Sequence, residues 1–107
     1  MKYSVEYSKA AVRDLDRVWS EVFRASRSYD ITERYLNDLM NIVESKSEYP
    51  LSGAPLYYED RFTGYYYYFV FKEYLAFYRL ESERILVDRV LFGRSDYIRI
   101  LQLGTDQ

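Results

Sequence analysis

The sequence of 107 residues contains no cysteine and no histidine. Without cysteine, the chain has no disulfide, no thiolate nucleophile and no cysteine–zinc site. Without histidine, it lacks the usual general base and the commonest transition-metal ligand. Any catalysis must therefore depend on arginine, lysine, tyrosine or carboxylate side chains, and we expect neither a metal nor a cofactor.

Long apolar runs and a strong net charge are also missing. No apolar run approaches the length of a membrane span, and residues 1–4 do not begin a signal-peptide core, so we expect a cytoplasmic protein. The formal net charge of -2 gives no general attraction to nucleic acid, although it leaves room for a local basic patch. The length predicts a single domain over residues 1–107.

Aromatic residues are abundant instead, with fourteen tyrosines and a hydrophobic fraction of 49%. Three runs rich in aromatic and β-branched residues lie at 65–71, 74–80 and 85–92. Their composition predicts three strands. Because the breaks between them are too short for the crossover of a parallel pair, these strands should form an antiparallel meander.

The first half of the chain predicts one strand and two helices. Residues 2–7 alternate as an edge strand does, and Ser8 is placed to cap a helix. The second helix would begin at Asp30 or Thr32 and end before Pro50. Residues 51–64 are expected to be irregular. The apolar stripes of the two helices comprise Val12, Leu15, Trp19, Val22 and Phe23, and then Tyr35, Leu36, Leu39, Met40 and Val43.

The predicted order is β-α-α-β-β-β, which is an α+β fold. A helical hairpin would pack on one face of a small, mostly antiparallel twisted sheet. Residues 94–101 suit either a short helix or an extended tail, and their periodicity does not decide between the two.

Four segments carry a resemblance to a known family: SKAA at 8–11, YPLSGAPL at 49–56, FYRL at 77–80 and RVLFGRSD at 89–96. In this order, over residues 5–97, the chain resembles the RelE/ParE superfamily of toxins from bacterial type II toxin–antitoxin modules, also known as plasmid-stabilisation or addiction modules. The resemblance implies a RelE/ParE-like fold and a growth-inhibiting toxin neutralised by a cognate antitoxin. It also implies a homodimer or a toxin–antitoxin hetero-oligomer.

The superfamily divides by target: one branch cleaves ribosome-bound messenger RNA, and another poisons DNA gyrase. The cationic positions of the ribonucleases fall here on Leu75, on Ser95 and near Tyr66 and Tyr68, and Phe92 stands where related toxins place a histidine. We therefore favour a ParE-like toxin that is not a nuclease. A ribosome-dependent, metal-independent mRNA endoribonuclease is the alternative, and a degenerate protein-binding member of the fold is a third.

The weak candidates for a catalytic site are Arg79, Arg89, Arg94 and Tyr97. The arginines could form a basic rim for phosphate or target contact, but we favour surface pairs with the carboxylates Glu81, Glu83, Asp88 or Asp96. Tyr97 could be a general acid or base only if an arginine lowered its pKa, and capping of the core edge is the favoured alternative.

Strand alternation predicts a surface for the antitoxin or the target on the face left open by the helices. It would contain Tyr66, Tyr68, Leu75 and Phe77, which are too apolar to remain in water. Trp19 is expected in the core. The carboxylates Asp14, Asp16 and Glu33 are expected to be solvated on the polar sides of the helices.

Overall fold

The computed structural model describes residues 3–71 and 73–103, apart from the side chains of Ser47 and Phe69. One five-stranded sheet has the order β1-β5-β4-β3-β2, in which β1 is parallel to β5 and the other neighbours are antiparallel. The predicted α+β class and the meander are confirmed. The elements are β1 (Ser4–Tyr7), α1 (Lys9–Ser26), α2 (Tyr29–Ser45), a 3-10 turn (Lys46–Glu48), β2 (Ala54–Tyr58), β3 (Arg61–Val70), β4 (Tyr74–Glu81), β5 (Arg84–Phe92) and α3 (Tyr97–Ile100).

The expectation of an irregular segment at 51–64 is wrong, because this segment contains β2 and the start of β3. Tyr58 pairs with Arg61 across a two-residue turn, Glu59 and Asp60, in which both residues have positive φ. Such a turn suits the twist of a hairpin, but Asn-Gly and Asp-Gly are its usual sequences, so Glu-Asp gave no signal. Pro55 is tolerated because β2 is an edge strand.

Serine residues cap both long helices. As predicted, Ser8 begins α1, and its Oγ accepts a hydrogen bond of 2.9 Å from the Ala11 amide. The prediction for α2 is wrong, because the cap is Ser28, whose Oγ accepts from the Ile31 amide at 3.2 Å. Thr32 is buried in the first turn instead, where its hydroxyl donates to the Ser28 carbonyl at 2.7 Å. Arg27, with φ 55°, turns the chain between the two helices.

The helical hairpin buries one face of the sheet. The stripe predicted for α1 is partly wrong, since Val12 is 48% exposed and the buried positions are Ala11, Asp14 and Val18. Leu15, Trp19 and Val22 are half-buried against this core. The buried strand residues on this face are Val70, Tyr74, Ala76, Tyr78, Ile85, Val87 and Val90.

The C-terminal residues cover part of the opposite face. The segment after Gly93 forms the short helix α3, in which Asp96 accepts from the Arg99 amide at 3.4 Å. A second apolar cluster there contains Leu56, Leu75, Phe77 and Leu91, with Tyr65, Tyr67, Tyr97, Ile100, Leu101 and Leu103 packed around it. Among residues 3–71 and 73–103, no helix is long and apolar enough to span a membrane.

Candidate functional site

A buried carboxylate joins helix α1 to the bulged strand β5. Asp14 is 1% exposed and accepts hydrogen bonds from Arg89 Nε at 2.8 Å, from Arg89 Nη2 at 2.9 Å and from the Val90 amide at 2.9 Å. Arg17 is also bound to Asp14. The expectation that Asp14 is solvated is therefore wrong.

The position of Asp14 follows from the end of β1 and from a bulge in β5. Phe77 pairs with Arg89 and Tyr78 with Val87, so Asp88 has no partner on β4. The last residue of β1, Tyr7, also pairs with Val87, and beyond it β5 has no β1 residue beside it. The Asp14 carboxylate binds the Val90 amide in place of a neighbouring strand, which keeps a buried donor paired.

Electrostatics make this ion pair persistent at neutral pH. Burial alone would raise the pKa of Asp14, but the bonds from Arg89, the Val90 amide and Arg17 outweigh burial and hold that pKa below its ordinary value. The Asp14 bond in turn raises the pKa of Arg89. The guanidinium of Arg89 is thus engaged inside the protein.

The three candidate arginines have different surroundings. Arg89 is bound to Asp14 of α1, whereas Arg79 lies over the ring of Tyr65, at 5.7 Å from its centroid, beside the second cluster. Arg79 has carboxylates 3.7 Å and 3.8 Å away, in Glu81 and Asp88, as the paired alternative predicted. Arg94 is exposed, with no ion pair to any residue in 3–71 or 73–103.

Two tyrosines near the arginines have structural roles. The hydroxyl of Tyr65 donates to Asp88 at 2.6 Å, and burial together with this bond raises the pKa of Tyr65 to about 12. Tyr97 packs its ring against Phe77, with 5.3 Å between centroids. This contact agrees with the capping of the core edge that the sequence favoured.

The predicted common surface of Tyr66, Tyr68, Leu75 and Phe77 is wrong. Tyr66 pairs with Tyr78 and Tyr68 with Ala76, and antiparallel partners share a face, so both tyrosines lie on the helix-covered face. Leu75 and Phe77 lie on the other face, where they are 4% and 0% exposed. A featureless run of tyrosines does not fix its own register, and a shift of one residue exchanges the two faces.

Exposed aromatic residues occur elsewhere, at the β2 edge of the sheet. Tyr57 and Phe62 are exposed and form a row with the half-buried Tyr66, with centroid separations of 5.9 Å and 5.3 Å. Tyr49 and Leu51 are exposed in the loop before β2. Sequence reasoning missed this surface because it assigned residues 51–64 to an irregular segment.

The loop that carries Tyr49 and Leu51 is held by a buried tyrosine. The hydroxyl of Tyr78 donates to the Pro50 carbonyl at 2.9 Å and accepts from the Gly53 amide at 3.0 Å. A Cβ at position 53 would clash with the Tyr78 hydroxyl and lie 2.9 Å from the Tyr67 carbonyl oxygen, so this close approach requires glycine.

Trp19 also differs from expectation. Trp19 is half-buried rather than fully internal, and its Nε1 donates to a Glu33 oxygen at 2.8 Å. Glu33 and Asp16 are both exposed, as predicted, and Glu33 links α2 to α1 through this bond.

A family model described as the ParE toxin of a type II toxin–antitoxin system, parDE, matches residues 5–97. The chain belongs to this family. It is therefore a toxin of a type II toxin–antitoxin system, and the predicted RelE/ParE superfamily is confirmed. No curated protein matches the sequence.

Solved structures share the fold of this ParE-family toxin. A chain of the chromosomal ParDE system from P. aeruginosa has a TM-score of 0.70 at 16% identity, covering 85% of this chain and 96% of that one. A chain of the RelBE2 toxin–antitoxin complex from Mycobacterium tuberculosis has a TM-score of 0.63 at 22% identity, covering 86% and 99%. The YoeB/ParE toxin from Agrobacterium tumefaciens has 0.55 at 16%, covering 84% and 98%.

Proposed function

We propose that this ParE-family toxin inhibits growth without cleaving messenger RNA, and that a cognate antitoxin neutralises it. The observation that carries the proposal is the state of the candidate arginines. Arg89 is held by Asp14, and Arg79 has two carboxylates within 4 Å, so of the three candidates only Arg94 is exposed without an ion pair to a described residue.

RNA cleavage through the 2′-hydroxyl makes chemical demands that the described residues meet poorly. The hydroxyl must lose a proton, the phosphoryl group must be stabilised as its charge develops, and the leaving oxygen must be protonated. Loss of one preorganised donor typically lowers the rate about 100–1000-fold. By the resemblance, the positions where related ribonucleases carry cations fall here on Leu75, on Ser95 and near Tyr66 and Tyr68, and none of these four residues can supply a positive charge.

The tyrosines near these positions do not replace the missing base. Burial and hydrogen bonding to a carboxylate raise the pKa of Tyr65 to about 12, and burial with the nearby Glu21 raises that of Tyr74 to about 12. Tyrosines with a raised pKa stay protonated at neutral pH, so they act as hydrogen-bond donors and not as proton acceptors.

A protein target suits the exposed surface better than a nucleic acid. Tyr49, Leu51, Tyr57 and Phe62 are large apolar side chains exposed near the β2 edge, whereas the net charge of the chain is -2. The ParE branch implies DNA gyrase as the target, and ribosome-bound mRNA is the alternative implied by the RelE branch.

Two reactions with the purified toxin test this proposal. In a translating extract, the ribosome-bound mRNA should stay intact, and in a DNA supercoiling reaction the toxin should inhibit gyrase. Prompt codon-specific cleavage of the mRNA that is lost in Arg94→Ala or Arg79→Ala would contradict the proposal. Arg99→Ala is the matched control, because Arg99 is an exposed arginine that contacts Asp96 within α3. Inactivity in both reactions, together with normal growth after induction, would favour the degenerate protein-binding member of the fold.

A further inference from the structure

A cleft of ≈ 390 Å³ lies between the helical hairpin and the turn that joins β3 to β4. Its lining includes Glu21 and Val22 from α1, Tyr35 from α2, Glu73 from the turn and Tyr74 at the start of β4. None of these residues is one of the candidate arginines or belongs to the Asp14–Arg89 pair. Residues of the two helices, the turn and the strand thus line one open cleft.

Both carboxylates of the cleft have neutral partners. The Tyr35 hydroxyl donates to Glu73 Oε1 at 3.0 Å, and the Tyr74 hydroxyl donates to Glu21 Oε1 at 3.3 Å. No lysine or arginine is among the lining residues in the described part of the chain. Arg17, one turn before Glu21 on α1, is bound to Asp14. Each ionised carboxylate can accept further hydrogen bonds, so the cleft has spare acceptors, and among the described residues that line it the charges are negative.

Aromatic rings beside the cleft give the site an apolar surface next to its carboxylates. Phe71 packs on Tyr35 with 4.7 Å between centroids, and Phe92 packs on Tyr74 with 5.9 Å. Both phenylalanines are large and partly exposed, at 36% and 46%. Aromatic faces attract cations, and exposed rings next to carboxylates suit a side chain with an apolar stem and a cationic head.

We propose that this cleft receives an arginine side chain from the protein partner that neutralises the toxin. Glu21 and Glu73 would accept hydrogen bonds from the guanidinium, and Phe71 and Phe92 would contact its apolar stem. Arginine fits better than lysine because its planar group binds carboxylates with several donors and stacks on aromatic rings. Phosphate-bearing partners are disfavoured by the same two carboxylates. The identity of the partner as the one that neutralises the toxin rests on the proposed function, whereas the binding of arginine in the cleft does not.

Binding of a dipeptide probe tests the cleft directly. The full chain, labelled with nitrogen-15, is titrated with N-acetyl-phenylalanyl-arginine amide while its amide shifts are recorded. The matched probe replaces arginine with citrulline, which keeps the shape and removes the charge. The amides of Glu21, Ala25 and Tyr74 should shift, and the citrulline probe should bind about tenfold more weakly because it lacks charge-assisted hydrogen bonds. A lysine probe should fall between the two.

Variants of the chain locate the interaction. The double variant Glu21→Gln/Glu73→Gln should weaken arginine binding about tenfold or more, because it removes both charges. Glu44→Gln is the control, since Glu44 is exposed on α2 and does not line the cleft. Preserved amide spectra show that the variants fold, and raising the salt from about 0.05 to about 0.5 M should weaken binding in the unsubstituted chain.

Three results would overturn the inference: equal binding of the arginine and citrulline probes, shifts confined to other parts of the chain, or binding that survives Glu21→Gln/Glu73→Gln. The assay measures binding and not toxicity. Cleavage of mRNA by the toxin would therefore refute the proposed function without bearing on arginine binding in the cleft. Failure of the titration would refute arginine binding in the cleft without bearing on the proposed function.

Discussion

At the scale of single residues, Asp14 supports more of the structure than its polar character suggests. It joins α1 to β5 through Arg89 and the Val90 amide, while nearly inaccessible to water. Asp14→Asn should lower the free energy of unfolding by about 3 kcal/mol. This value is at the low end of the loss expected when one partner of a buried ion pair is removed, because Arg89 is partly exposed to water. Urea denaturation measures this loss. Asp16→Asn, an exposed control on the same helix, should change the value by less than about 0.5 kcal/mol. Equal effects of the two substitutions would refute this role.

Asp14 should also make the free energy of unfolding depend on pH. Because the folded-state pKa of Asp14 lies below its unfolded value of 3.8, its contribution is fully present above that value and is lost as the pH falls through the folded-state pKa. The free energy of unfolding, measured in urea from about pH 6 to about pH 2, should therefore fall less steeply in Asp14→Asn than in the unsubstituted chain. Parallel curves for the two proteins would contradict the assignment.

The sequence could predict the Ser8 cap but not the position of Asp14. The cap depends on residues adjacent in the chain, where Ser8 precedes a helical pattern. Asp14 instead meets Arg89 and Val90, which lie 75 and 76 positions away, so a pattern along one helix shows it only as a polar residue. The same limit hid Glu21 and Glu73, which line one cleft only after the fold brings α1 and β4 together.

At the scale of elements, the β4–β5 hairpin contains an unfavourable turn residue. Glu81 pairs with Arg84, and Ser82 between them has φ 54°. Glycine adopts positive φ without the steric cost that other residues bear, so Ser82→Gly should raise the free energy of unfolding by about 0.5–1 kcal/mol. Thermal or urea denaturation checks the gain. The control is Ser52→Gly, at an exposed position outside the positive-φ set, where glycine should bring no gain. A loss of stability in Ser82→Gly would contradict the argument.

The three long strands were predictable because each run is rich in aromatic and β-branched residues and short charged breaks separate the runs. Their faces were not, because the run of tyrosines at 65–68 is apolar at every position and carries no alternation. The pairing of β3 with β4 sets the register of β3 and places Tyr66 and Tyr68 on the face that the helices cover. The strand β2 escaped prediction for another reason, since Pro55 and the Glu59-Asp60 turn resemble a loop in sequence.

At the scale of the whole molecule, both faces of the sheet carry apolar cover. The sequence predicted a free toxin with one bare apolar face, but residues 97–103 pack over Phe77 and Leu91. This cover could not be foreseen, because four helical residues are too few to show a period. The order of elements and the family resemblance were predictable, since they depend on long stretches of sequence and not on single contacts.

A single substitution should remove the cover that residues 97–103 form over the second cluster. Ile100 packs against the second cluster, so Ile100→Asp places a carboxylate beside Leu75 and Phe77 and should detach α3 from the sheet. The exposed apolar surface should then bind a hydrophobic dye such as ANS, measured by fluorescence, and promote association, measured by light scattering.

Arg99→Asp is the matched control, because the Arg99 side chain is 78% exposed and is not part of the second cluster. The helices pack on the other face, so far-ultraviolet circular dichroism should keep its helical signal in both variants. Unchanged dye binding in Ile100→Asp would show that α3 does not cover this face in solution, and the surface of Leu75 and Phe77 would then be open to a partner.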